Sequence, residues 1–247
     1  MQNDQMNPIS EILSDTLTQP ENFVKKPVEP SLSCDLCRGT GFVGAAMRGG
    51  VAVPQYCGCA AGQRMKYRLP DSLADWTFDT YPQDAPKRTE RLAFMRDWLL
   101  GDKWLILLGP IGTGKTGLAV SAYKAMVDAG THATFWRMGF LLDETRRAFA
   151  PDAGIESPLE PLRNGCDFLV LDDVGSERGT DWAVSTVRDL LTSRYERRLR
   201  TLITTNLNVK ELGECYGERV KDRLADVAVA LVLTGKTLRP QLQVFHA

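Results

Sequence analysis

Long apolar runs are missing from this chain of 247 residues. The longest, Trp104 to Leu108 and Val227 to Leu233, fall far short of the roughly 20 residues that a membrane-crossing helix needs. An excess of either charge is missing too. Thirty Lys and Arg stand against 31 Asp and Glu, a formal net charge of -1, so no whole-chain basic field can hold nucleic acid by bulk electrostatics. Any contact with nucleic acid must be local. The start of the chain, Met1 to Ser10, lacks the basic flank and apolar stretch of a secretory signal. No internal repeat is visible. These absences predict a soluble, cytoplasmic protein with no membrane partner. What is present, 43% hydrophobic and 25% charged residues over this length, suffices for one full-sized domain plus a smaller module.

Of the six cysteines, Cys34, Cys37, Cys57 and Cys59 are clustered, whereas Cys166 and Cys215 stand alone and read as small buried hydrophobes. In a reducing compartment a paired cluster points to metal rather than to disulfides. Cys34-Asp-Leu-Cys37 is a knuckle followed by Gly39 and Gly41, and Cys57-Gly-Cys59 offers a second pair. Four thiolates make a closed tetrahedral zinc site, which can fold a module too small for a hydrophobic core. Free or redox-active thiols are the alternative, because the second pair is tighter than the usual Cys-x-x-Cys.

Three zones follow. Residues 1–33, with Pro8, Pro20, Pro27 and Pro30, read as a flexible segment in which Ile9, Ile12, Leu13 and Leu17 recur at helical spacing. That recurrence fits either a short partner-binding helix or a disordered tail. Residues 34–70 form the cysteine module, rich in turn-forming glycine. Residues 71–247 alternate apolar runs with amphipathic stretches, the pattern of an α/β domain with a mostly parallel sheet. Strands are expected at Trp104 to Leu108, His132 to Trp136, Phe168 to Leu171, Thr201 to Thr205 and Val229 to Leu233. Helices are expected at Gly114 to Ala129, Gly139 to Ala150, Asp181 to Leu199 and Val209 to Leu224.

The strongest signal is Gly109-Pro110-Ile111-Gly112-Thr113-Gly114-Lys115-Thr116, between an apolar strand and a helix. This is a Walker A phosphate loop in the setting it requires. Its glycines let consecutive backbone N–H groups turn inward around phosphates, at a helix N-terminus that adds positive potential. Lys115 then reaches the β- and γ-phosphates of ATP, and the Thr116 hydroxyl ligates magnesium. A second carboxylate source comes from Phe168-Leu-Val-Leu-Asp172-Asp173. Asp172 suits the metal-holding Walker B role, and Asp173 stands where many such ATPases carry a water-polarising glutamate. Its shorter side chain allows for slow or partner-dependent hydrolysis. Asn206, at the end of Thr201-Leu-Ile-Thr-Thr-Asn206, is placed to sense the γ-phosphate or lytic water, although Asn is also a common turn former. Arg219 and Arg223 lie at i and i+4 on one helical face. They read either as arginines offered to a neighbouring subunit's nucleotide or as a surface charge ladder with Glu218 and Asp222.

Taken together, the chain resembles AAA+ ATPases of the DnaC/DnaI helicase-loader and IstB-like group over about residues 70 to 240. The resemblance rests on Trp76-Thr-Phe78, the Walker A loop, Leu141-Leu-Asp-Glu-Thr-Arg146, Leu171-Asp-Asp-Val-Gly175, Trp182, Arg194-Tyr-Glu-Arg197, Thr204-Thr-Asn206 and Gly217-Glu-Arg-Val-Lys-Asp-Arg223. It implies a P-loop NTPase core with a parallel sheet and no C-terminal lid domain. It further implies Asn206 as sensor 1, Arg223 as arginine finger with Arg219 beside it, and Arg239 as sensor 2. By the same resemblance Arg146, Phe149, Thr180 and Trp182 contact single-stranded DNA, where each stacked base contributes about 1–3 kcal/mol. Phe149 and Trp182 at helical spacing also fit a core.

The expected function is an ATPase that loads a DnaB-type replicative helicase onto single-stranded DNA during DNA replication, self-associating through the ATP site. The cysteine module favours this, since IstB-like proteins generally lack one. The alternatives are an IstB-like accessory ATPase in DNA transposition, and an ATP-binding adaptor with little hydrolysis.

Overall fold

A computed structural model of the chain describes residues 34–38, 42–48, 51–57, 59, 66–150, 156–176 and 180–238. They fall into two compact units, Met1–Lys66 and Tyr67–Ala247. The helical spacing of Ile9 to Leu17, and Arg239, lie outside the described residues.

In the first unit, β1 (Phe42–Arg48) and β2 (Val51–Tyr56) pair antiparallel between the two cysteine pairs. The register shifts between Phe42 and Gly44, and Gly44 takes a φ of +145° there. This hairpin was not expected. Its strands, Phe-Val-Gly-Ala-Ala-Met-Arg and Val-Ala-Val-Pro-Gln-Tyr, lack the strict apolar–polar alternation that marks a strand in sequence.

The second unit begins at Tyr67 rather than after residue 70, because Tyr67 and Leu69 are buried in its core. Its sheet has five parallel strands in the order β4-β5-β6-β3-β7: β3 (Trp104–Leu108), β4 (Ala133–Arg137), β5 (Phe168–Val174), β6 (Arg200–Thr205) and β7 (Ala228–Val232). Parallel strands need crossovers, so helices cover both faces and central strands read as continuous apolar runs. Along β3, Trp104, Ile106 and Leu108 face one layer while Leu105 and Leu107 face the other. The second face is covered by α1 (Arg88–Leu100) and α2 (Lys115–Asp128). The first is covered by α3 (Met138–Ala148), α4 (Asp181–Glu196), α5 (Val209–Tyr216) and α6 (Glu218–Val227).

Two differences from expectation have local causes. The single helix expected over Val209 to Leu224 breaks at Gly217, whose φ of +93° ends α5 before α6 starts. Gly213 lets the two helices close up, since a Cβ there would lie 2.7 Å from Lys221 Cδ. Helix α1 went unread because its apolar residues Leu92, Met95 and Trp98 are interleaved with charge, and even Arg91 is buried.

The largest fully buried side chain is a cation, Arg194 of α4. It donates to the carbonyls of Leu162 (2.5 Å), Cys166 (3.0 Å) and Arg200 (2.7 Å) and to Thr201 Oγ1 (2.8 Å), joining the approach to β5 to the start of β6. Burial pushes its pKa down to about 10, which leaves it charged at neutral pH. A Cys166-Asp167 turn thus depends on a guanidinium from another element. Replacing Arg194 with Ala orphans these acceptors and opens a cavity, and is expected to lower the unfolding free energy by roughly 3–5 kcal/mol in urea denaturation. A loss under ~1 kcal/mol would show the clamp to be dispensable.

Candidate nucleotide-binding site and cysteine cluster

The loop between β3 and α2 is built for close backbone approach. Gly109, Gly112 and Gly114 have φ of +146°, +83° and +93°. Side chains there are strained and blocked: a Cβ would meet Leu233 O at 2.1 Å, Thr237 Oγ1 at 2.1 Å and Tyr81 Oη at 2.5 Å respectively. Arg91 of α1 holds this loop from behind. Its guanidinium, buried in the core, donates to Thr113 O (3.4 Å), Tyr81 Oη (3.2 Å) and Thr234 O (2.7 Å). Leu238 N donates to Gly112 O at 2.7 Å, so the segment after β7 also lies on the loop.

A cavity of about 770 Å³ opens over this loop and the ends of β4, β5 and β6, a volume in the range of small-molecule sites. Its polar wall includes Lys115, Thr116, Arg137, Asp172, Asp173 and Asn206; its apolar wall includes Leu73, Trp76, Ile111 and Leu238. Trp76 lies so close to the first turn of α2 that a Cβ on Gly117 would be 2.5 Å from its ring. Lys115 Nζ donates to Gly109 O (2.6 Å), Pro110 O (2.8 Å) and Asn206 Oδ1 (2.7 Å).

Asp172 follows the apolar run of β5 and is itself 3% exposed. One carboxylate oxygen, Oδ1, accepts from Thr116 Oγ1 (2.8 Å) and Thr204 Oγ1 (2.7 Å). The other, Oδ2, lies 3.9 Å from Arg137 Nε. Burial raises the Asp172 pKa, while the Thr204 and Thr116 hydroxyls and Arg137 pull against that rise. Hydroxyl and carboxylate oxygens side by side are the hard donors that magnesium selects. Together with a loop that only glycine can build, they fit a magnesium–nucleotide complex.

Asp173 differs from its neighbour. It is exposed and sits at φ +64°, inside a register shift between Leu171 and Val174. A non-glycine residue there costs on the order of 1–3 kcal/mol and marks functional sites. Its carboxylate accepts from Asn206 Nδ2 at 3.4 Å, and its N–H donates to Thr204 Oγ1 at 2.9 Å. Lys115, Thr116, Asp172, Asp173 and Asn206 are therefore brought into one cavity. Thr204, Arg137, Arg91 and Trp76 belong to the site or its support without having been read as such. Thr204 had a legible signal, a hydroxyl in an apolar strand two residues before Asn206; Arg91 had none.

Arg223 is not in this cavity. It donates to Thr192 Oγ1 (2.5 Å) and Glu196 Oε1 (3.1 Å) of α4 and stacks on Tyr195 at 5.3 Å. It also shares a small pocket with Trp104, the first residue of the strand whose last residue precedes the phosphate loop. Arg219 is exposed, and no hydrogen bond or ion pair to it is found among the described residues. The alternative ladder is not formed: Glu218 pairs with Lys221 at 2.8 Å, and Arg223 pairs with Glu196. Among the residues matched to DNA contact, Arg146 lies over the Trp182 ring at 4.8 Å and pairs with Asp143 at 3.5 Å. Phe149 is 66% exposed. Thr180 caps α4, accepting from Ala183 N at 3.3 Å.

In the first unit all four cysteine Sγ atoms lie within 4.8 Å of one another. Cys34 and Cys57 are 3.6 Å apart, and Cys37 and Cys59 are 3.5 Å apart. A tetrahedron with zinc–sulfur bonds of about 2.3 Å has edges of about 3.8 Å, so the four thiols fit one zinc ion. Backbone N–H groups of Cys37 and Leu36 lower the Cys34 pKa, whereas burial and the neighbouring thiols push that of Cys57 up to about 12 against its backbone hydrogen bond. Cys166 is buried, as its reading as a packing residue requires.

Sheet order, glycine loop and paired acids define an AAA+-like P-loop core. The profile of the IstB-like ATP-binding proteins matches residues 60–241, and the chain belongs to that family. It is 31% identical over 140 residues to the insertion sequence IS21 ATP-binding protein of Pseudomonas aeruginosa, covering 55% of this chain and 52% of that one. It is 24% identical over 119 residues to the replicative helicase loader DnaC of Escherichia coli K12, covering 48% and 49%. The chain thus spans about half the length of these curated relatives. A crystal structure of the DnaC helicase loader superposes with a TM-score of 0.60 and 27% identity, covering 67% of this chain and all of that one.

Two measurements check the site and the cluster. Lys115→Ala should weaken ATP binding roughly hundredfold or more in calorimetric titration, and unchanged affinity would refute the phosphate-loop assignment. Metal analysis of purified protein should find about one zinc per chain, lost when Cys34 and Cys37 are both replaced by Ser. A zinc-free, folded first unit would leave the thiols without that role.

Proposed function

We propose that this chain is a magnesium-dependent ATPase that loads a DnaB-type replicative helicase onto single-stranded DNA. One observation carries the choice. The family match begins at residue 60, so the cysteine hairpin lies ahead of the matched residues, while 67% of this chain covers the whole chain of the DnaC loader structure. A metal-folded module suits the gripping of a protein partner, and the core supplies the nucleotide switch.

The residues have separate tasks in this reading. Backbone N–H groups of Gly112 to Lys115 cradle phosphates, and Leu73, Trp76 and Ile111 offer an apolar wall to the base. Lys115 exchanges its contacts with Gly109 and Pro110 for phosphate oxygens. Thr116 and Asp172 would hold magnesium, which would supply neutralisation of the charge on the phosphates. Asp173 and Asn206 orient the attacking water, with Asp173 as the proton acceptor. Its short reach supports slow hydrolysis that a partner accelerates. Arg219 or Arg223, offered to the nucleotide of a second copy, would couple hydrolysis to assembly. Arg146, Phe149 and Trp182 supply a cation and aromatic faces for single-stranded DNA.

A second reading, an accessory ATPase in transposition, is favoured by the higher identity to the IS21 protein than to DnaC. Affinity purification with ATPγS decides between them. The first reading expects a DnaB-type helicase to be retained in stoichiometric amount and lost on removal of residues 1–66. Retention of a transposase, with no helicase, would reverse the order.

A further inference from the structure

We propose that Arg137 is a phosphate-sensing residue acting within its own subunit: it pairs with Asp172 while no triphosphate is bound and turns to the terminal phosphate when one is. This rests on the magnesium–ATP reading of the cavity. Arg137 ends β4 in register with Asp172 on β5, so adjacent parallel strands deliver both side chains to the same mouth. Lys115 and Arg137 are the cations of the cavity wall, and Asp172 and Asp173 its carboxylates. Among the described residues the charges of the wall thus balance, and a nucleotide triphosphate adds several negative charges to it. Lys115 is committed to the phosphate loop by position. Among the described residues Arg137 is the cation left to answer the added charge.

The contact it now makes is a weak one. Only Nε approaches Asp172, at 3.9 Å, and the Arg137 side chain is 37% exposed. Among the described residues Asp172 is its one ion-pair partner, and no hydrogen bond to its terminal nitrogens is found. A guanidinium held by one edge keeps its forked face for a phosphate, which it grips bidentately. Any cation bound between Thr116 and Asp172 would compensate that carboxylate and weaken its hold on Arg137. Arg137 is the N-cap residue of α3, with extended backbone at φ -79° and ψ 132° and no side-chain cap. Met138 behind it is fully buried, and Arg146 lies in the last turn of the same helix.

Equilibrium titrations of wild type, Arg137→Ala, Arg137→Lys and Lys115→Ala with ATPγS and with ADP test this, each with excess magnesium. Arg137→Ala should weaken ATPγS roughly tenfold to hundredfold while leaving ADP within about twofold, because ADP lacks the phosphate that Arg137 answers. Arg137→Lys keeps the charge without the fork and should fall between. Equal losses for both nucleotides would reduce Arg137 to a structural partner of Asp172 and overturn the proposal, as would no loss for either. If Lys115→Ala binds both nucleotides like wild type, the failure lies with the phosphate-loop reading. Should Arg137→Ala not fold, the ratio of the two affinities in Arg137→Lys decides in the same way.

Discussion

One buried carboxylate organises the nucleotide end of this molecule. Asp172 ends the apolar part of β5, where burial disfavours its charge, and that cost is met by what it draws together. Its oxygens receive Thr116 from α2 and Thr204 from β6 and face Arg137 from β4. Three elements from distant parts of the chain are thus tied to one group.

The phosphate loop is held with the same economy from the other side. Arg91 bonds to the loop and to the chain leaving β7, and Tyr81 and Trp76 press on Gly114 and Gly117. The loop's shape therefore depends on residues before β3 and after β7, far outside the eight-residue motif. A glycine cradle confers backbone freedom, and it is this packing that removes the freedom again and leaves one conformation.

Much of the fold was legible because parallel strands buried on both faces leave continuous apolar runs, such as Leu105 to Leu108 and Phe168 to Leu171. Elements whose partners are distant were harder to read. The hairpin of β1 and β2 has little pattern of its own, and α1 hides a buried Arg91 among charges that look solvent-exposed. The break at Gly217 had a glycine to announce it, but only the approach of Lys221 to Gly213 shows why two helices are preferred to one. Arg219 and Arg223 share a helical face by spacing, but their surroundings differ: Glu196 and Thr192 engage Arg223, and Arg219 is exposed.

The sequence by itself determined the make-up of the phosphate loop, since Gly109 to Thr116 encode a backbone shape, a cation and a hydroxyl in one short stretch. It also displayed the clustering of Cys34, Cys37, Cys57 and Cys59, whose four thiols the structure brings close enough to fit one metal ion. Tertiary structure alone decided which groups answer those residues. Strand order brings β4 beside β5 and β6 on its other side, so Arg137 and Thr204 meet Asp172 although neither is near it in the chain. Local motifs are written in short-range spacing; the electrostatic balance of a site is set by which strands become neighbours.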